Sequence, residues 1–99
     1  MTNVYMERDG DRYKLICKNH APTKEACAAV STLCQTYAGY LHNIECEITE
    51  EHIQPGDVRI CVKSDTPEAA SAYFMTAVGF LQLEHSYPGT VSVDLQEIS

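Results

Sequence analysis

The apolar and polar positions of the chain divide it into seven segments. Alternation runs from Asn3 to Glu7 and again from Arg12 to Cys17, where Tyr13, Leu15 and Cys17 share one face and Arg12, Lys14 and Ile16 the other. A two-residue period marks strands with one buried face, and Arg8-Asp9-Gly10-Asp11 between them carries the Asp-Gly signal of a tight hairpin. From Lys24 to Leu41 the period becomes helical, with Ala26, Ala29, Val30, Leu33, Tyr37, Tyr40 and Leu41 forming one stripe. Pro22 and Thr23 supply initiation chemistry, and Glu25 is favourable in a first turn. Beside the stripe runs a row of small side chains, Cys27, Ser31, Cys34 and Ala38, suited either to close packing or to the wall of a cleft.

Ile44 to Thr49 alternates again, Ile44, Cys46 and Ile48 against Glu45, Glu47 and Thr49. Gln54-Pro55-Gly56-Asp57 reads as a turn, and Asp57 to Lys63 as a strand with Val58, Ile60 and Val62 inward and Arg59, Cys61 and Lys63 outward. These two strands are expected to form a second hairpin that brings Glu45 and Glu47 near Arg59 and Lys63. Thr66 as N-cap and Pro67 at the first helical position open a helix to about His85, packing through Ala70, Tyr73, Phe74, Ala77, Val78 and Leu81. Gly79 weakens that helix by up to about 1 kcal/mol relative to alanine. Tyr87-Pro88-Gly89 ends it, and Thr90 to Gln96 forms a last strand with Val91, Val93 and Leu95 inward. The order is ββαββαβ. Alternation leaves one sheet face wet, so the expected fold is α+β, a two-layer sandwich with a mainly antiparallel sheet and both helices on one face.

A chain of 99 residues has the size of one domain, taken here as residues 1–99. Its apolar runs fall well short of the roughly 20 residues of a membrane helix, and its polar start lacks the features of a signal peptide. No membrane partner and a cytoplasmic location are therefore expected. Five cysteines, an odd number with no Cys-x-x-Cys pair, fit reduced thiols better than a disulfide framework. The net charge of -7 is uneven: five basic residues against three acids through Lys24, then two against eleven. Such an acidic second part disfavours direct binding of nucleic acid and permits a basic protein or peptide.

Candidate chemistry concentrates between Asn19 and Gln35. An ordinary thiol with a pKa near 8.5 is only a few per cent thiolate at neutral pH, so a nucleophilic cysteine needs help. Cys27 falls in a first helical turn, where the macrodipole and free N–H groups favour a thiolate and would also meet an oxyanion. His20, in the preceding loop, is placed to fold back on Cys27 and to protonate a leaving amine, and Ser31 lies one turn beyond on the same face. Against this stands the ordinary behaviour of cysteine as a small buried hydrophobe. A zinc site of His20, Cys27, Cys34 and His42 matches no standard spacing, because Cys34 lies two turns, about 10 Å, along the helix from Cys27. No metal and no cofactor are expected.

Asn19-His20-Ala21, followed by Cys27-Ala28-Ala29-Val30-Ser31 opening a helix, resembles the signature of the bacterial ribosomal-processing cysteine proteases of the Prp family. That signature is a Gly-His-Ala loop before a Cys-Ala-Ala-Val-Ser helix, and the segment order is compatible with the family over nearly the whole chain. The resemblance implies a homodimeric cysteine endopeptidase that removes a short N-terminal extension from a large-subunit ribosomal protein. It makes His20 the base and acid, Cys27 the nucleophile and Ser31 a supporting residue. Three features depart from the pattern. Asn19 stands in place of glycine and restricts the loop backbone. The loop from His20 to Cys27 is shorter and without glycines, which reduces any flap. Lys24 replaces an aspartate; it favours a thiolate but does not orient His20 as a carboxylate would. The altered loop motivates the alternatives, a protease of phage capsid or scaffold precursors, or a peptide-binding module of the same fold without turnover.

Overall fold

The computed structural model describes residues 1–98. The elements run β1 (Thr2–Asp9), β2 (Arg12–Lys18), α1 (Lys24–Leu41), β3 (Glu47–Gln54), β4 (Asp57–Lys63), α2 (Pro67–Ser86) and β5 (Val91–Ile98). The order expected from periodicity is the order found. The strands make one sheet in the order β3-β4-β2-β1-β5, antiparallel at every pairing except the parallel β1–β5.

Alternation becomes burial on one face, where Val4, Met6, Tyr13, Leu15, Cys17, Val58, Ile60, Val62 and Val91 are all buried. Over them lie Val30, Cys34, Tyr37, Ala38 and Leu41 of α1 and Ala69, Tyr73, Ala77 and Phe80 of α2. Both helices therefore cover the same face, giving an α+β two-layer arrangement with one core. Thr23 caps α1 by accepting from the Ala26 N–H at 3.1 Å, and Thr66 caps α2 by accepting from Ala69 at 3.3 Å, each cap worth about 1 kcal/mol.

The third strand starts later than the alternation of Ile44 to Thr49 suggests. Segment 42–46 connects α1 to the sheet, held by Ser64 Oγ donating to the Glu45 carbonyl at 3.0 Å and the Cys46 thiol donating to the Leu41 carbonyl at 3.2 Å. Gln54 pairs with Asp57, so Pro55-Gly56 is a two-residue turn that sets the register back to Glu47 opposite Lys63, with an irregularity between Ile48 and Glu50. Glu50, not Glu45, meets Arg59, at 3.5 Å. Charged Glu50 and Glu51 break the alternation because β3 is an edge strand, where exposed charge opposes pairing with other chains.

The stripe of α2 is also rotated from expectation. Tyr73 and Ala77 are buried, but Phe74, Val78 and Leu81 are 47%, 54% and 40% exposed, and Thr76 and Phe80 take their place inside. Thr76 satisfies its hydroxyl on the Ala72 carbonyl at 2.8 Å, which lets a polar residue sit in the apolar face. On α1, Tyr40 likewise lies outward. Along β5 burial falls from Val91 through Val93 to exposed Leu95.

Candidate active site

The pairing of β2 with β4 builds one end of the sheet into a site. Lys18, the last residue of β2, lies opposite Asp57, the first of β4, so the chain leaving β2 passes beside the β3–β4 turn. Lys18 and Asp57 also form an ion pair through their side chains, and His52 Nε2 lies 3.2 Å from the other oxygen of Asp57. The Lys18 hydrogen bond holds the Asp57 carboxyl below its ordinary value, with His52 adding to the effect. At the start of β1, Thr2 is buried and donates its hydroxyl to the Asn19 carbonyl at 3.0 Å.

Asn19 answers the question raised by the missing glycine. Its φ is +73°, a left-handed conformation that asparagine enters more readily than most side chains. The turn that glycine would make is still made. The Asn19 N–H donates to the Gly56 carbonyl at 3.0 Å, and His20 follows with its ring over Gly56. Ala21 is buried, and only Pro22 and Thr23 separate it from α1.

A cleft of about 150 Å3 opens here, lined among others by Thr2, His20, Cys27, Ser31, Gln35 and Gln54. His20, Cys27 and Ser31 thus share one cleft, at the N-terminal end of α1. His20 and Ser31 are exposed and Cys27 is half-buried. The Cys27 thiol donates to the Ala21 carbonyl at 3.5 Å, and among the described residues no hydrogen bond joins it to His20. Thr23 takes up the N–H groups nearest Cys27, its hydroxyl accepting from Ala26 and its carbonyl from Cys27 at 3.0 Å. Of these two, the Ala26 N–H is committed to the cap and the Cys27 N–H to the first helical hydrogen bond.

The row of small residues splits in two. Cys27 and Ser31 line the cleft, whereas Cys34 and Ala38 are buried in the core. Cys34 meets Cys17 of β2 across the layers, sulfur to sulfur at 3.6 Å, and this hydrogen bond together with burial pushes the Cys17 thiol far up. His42 lies elsewhere, 2.6 Å from Glu51. Among the described residues no group of three His, Cys, Asp or Glu side chains stands close enough to hold a metal ion. No described helix is long and apolar enough to cross a membrane.

Sequence reading missed the β3–β4 turn as part of the site. Pro55-Gly56 marks a turn in any sequence, but only the strand register shows that this turn closes on Asn19 and His20. Thr2 was hidden for the same reason.

No protein-family model and no curated protein matches this sequence. Solved structures do match it. The crystal structure of the essential ribosomal processing protease Prp from S. aureus, in complex with a covalently linked product peptide, superposes with a TM-score of 0.80 at 16% identity over 96% of this chain and 99% of that one. The chain shares the fold of Prp. The structure of SMU.848 from Streptococcus mutans superposes with a TM-score of 0.76, also at 16% identity, over 98% of each chain. The S. aureus Prp structure with a substrate peptide gives 0.59 at 13% identity over 96% of this chain and 99% of that one. With Prp the chain has the fold in common over 96% of its length.

Proposed function

We propose that this chain is a cysteine endopeptidase of the ribosomal-processing kind, which removes a short N-terminal extension from a large-subunit ribosomal protein. The observation that carries the reading is that His20 and Cys27 open onto one cleft at the N-terminal end of α1, in a chain with the Prp fold. In this reading the Cys27 sulfur gives up its proton to His20 and attacks the carbonyl carbon of the scissile bond. His20 then hands the proton to the leaving amine as the C–N bond breaks, leaving a thioester. Water adds to the thioester with His20 as base, and the new carboxyl product departs as the thiol re-forms. Ser31, one turn beyond Cys27, lines the same cleft and is the supporting residue in this reading.

The first step asks the thiol to turn from the Ala21 carbonyl toward the imidazole. A peptide entering the cleft supplies the occasion, since hydrogen bonds at unliganded sites often tighten only in the substrate complex. The acidic surface suits an extension rich in basic residues. We also assign the protein to the cytoplasm and to a homodimer. Exposed Phe74, Met75, Val78 and Leu81 on α2 and Tyr40 on α1 offer apolar area for a second copy, which sedimentation at graded concentrations would detect.

The direct test is incubation of the purified protein with a peptide spanning such an extension, read by mass spectrometry. Cleavage is expected for the wild type, and its loss in Cys27→Ala and in His20→Ala. The bond between the Cys27 thiol and Ala21 favours one second reading, a peptide-binding module that has lost turnover. It predicts binding unaffected by Cys27→Ala and no cleavage at all. Cleavage of phage capsid or scaffold precursors, with none of the ribosomal extension, would keep the chemistry and reassign the substrate.

A further inference from the structure

The surface on which the His20 ring rests is the backbone of Gly56. A carbon added at Gly56 in the place of a side chain would stand 2.8 Å from His20 Nε2, 3.1 Å from Cε1 and 3.2 Å from Cδ2. Nε2 is bonded to both of those carbons, so distances this nearly equal arise only when the added carbon stands above the ring plane. A carbon in the plane beyond Nε2 would be much farther from the two carbons than from the nitrogen. Gly56 therefore meets the imidazole on its face. The in-plane directions of the two nitrogens, along which a ring N–H donates and a lone pair accepts, are left free by this contact.

We propose that Gly56 is a positioning residue for His20: the bare backbone at the β3–β4 tip holds the imidazole face-on over the cleft, and any side chain there displaces the ring from Cys27. The proposal rests on the reading of His20 as the partner of Cys27. The tip and the His20 loop are fixed to one another at several points. Asn19 N–H bonds the Gly56 carbonyl, the Lys18 and Asp57 side chains pair, and the buried Thr2 hydroxyl secures the Asn19 carbonyl. With the backbones clamped, the exposed ring is the part that yields to an added side chain. Gly56 also has φ +74°, which disfavours every other L-residue but asparagine and aspartate, so positioning and turn geometry select the same residue.

Gly56→Ala adds a clash with the ring and strain from the positive φ. Gly10→Ala adds the strain alone, since Gly10 has φ +61° at the tip of the β1–β2 hairpin and a carbon added there meets nothing within 4 Å. The experiment measures iodoacetamide alkylation of Cys27 against pH, mapped by mass spectrometry, in the wild type, His20→Ala, Gly56→Ala and Gly10→Ala. Gly56→Ala is expected to react about tenfold more slowly at neutral pH, with a profile moved toward that of His20→Ala, while Gly10→Ala keeps the wild-type profile. A Gly56→Ala profile that stays wild-type while that of His20→Ala moves overturns the proposal and spares the dyad. Coincident wild-type and His20→Ala profiles overturn both, and that result needs no glycine variant. Should Gly56→Ala fail to fold, the wild type still decides: a nuclear Overhauser effect between His20 Hε1 and the Gly56 α-protons is expected, and its absence refutes the contact.

Discussion

The Asn19 N–H donates to the Gly56 carbonyl at 3.0 Å, and both residues hold a left-handed backbone, at φ +73° and +74°. Two sharp turns, one leaving β2 and one closing the β3–β4 hairpin, are thus locked together beneath His20. Of the two residues only Asn19 carries a side chain in this conformation. Replacing it by glycine should leave stability within about 0.5 kcal/mol, because glycine adopts the same φ freely while costing some chain entropy. Asn19→Val should cost about 2 kcal/mol, since a β-branched residue is strongly disfavoured there. Urea denaturation of both variants tests this, and equal midpoints would show that the turn relaxes in solution.

Next to this contact Lys18 and Asp57 form an electrostatic clamp, and it has a pH window. The Lys18 hydrogen bond, and then His52, keep the Asp57 carboxyl below its ordinary value in the folded protein. A carboxyl lowered on folding binds fewer protons folded than unfolded, so its contribution is present above the unfolded pKa of about 3.9 and vanishes as pH falls through the folded one. Wild type is therefore expected to exceed Asp57→Asn in stability at about pH 6 and to lose that advantage progressively as pH falls below about 3.9. The pair is exposed, so about 1 M salt should shrink the difference as well. An advantage that persisted in acid would assign it to packing instead of charge.

How much of this was legible beforehand depends on whether the deciding interaction was local. Thr23, Thr66 and Pro67 act on their own neighbours, and α1 begins and ends where its sequence says, at Lys24 and Leu41. The third strand is another matter. Ile44, Cys46 and Ile48 alternate well, but the connection from α1 uses the first two, and the two-residue turn at Pro55-Gly56 sets the register from the far end. In α2 nearly every turn offers apolar side chains on all sides, so periodicity alone did not reveal that Phe80 would be inside and Phe74 outside. His20 and Cys27 were visible as a pair because they lie close in sequence. Gly56 comes to the same cleft from the β3–β4 turn and Thr2 from the start of β1, and only the sheet order brings them there.

The Cys17 and Cys34 thiols, 3.6 Å apart and buried, are inside the core although Cys17 also borders the cleft. The hydrogen bond between them and burial keep the Cys17 thiol protonated, and a thiol in that state does not react with iodoacetamide. Both should be alkylated only through unfolding, at least about 100-fold more slowly than in urea. Half-buried Cys61 serves as the internal comparison. If Cys17 were modified as fast as Cys61 in the native protein, the floor of the cleft would have to open without global unfolding.

At Gly79 the Leu33 side chain of α1 lies against the backbone of α2, which turns a helix-weakening residue into a packing requirement. A carbon added there would lie 2.6 Å from Leu33 Cδ2. Gly79→Ala by itself gains about 1 kcal/mol of helix propensity, but crowding an existing contact costs about 1–3 kcal/mol. The expected net effect is destabilisation by about 1 kcal/mol, moderated because half-buried Leu33 has some room to turn. Leu33→Ala removes the obstructing methyl groups, so in that background Gly79→Ala should become stabilising by about 1 kcal/mol. Denaturation of the four proteins of the cycle gives the coupling directly. An effect of Gly79→Ala that is the same with leucine or alanine at position 33 would mean that α1 and α2 stand farther apart than this contact requires, and that the glycine is tolerated for some other reason.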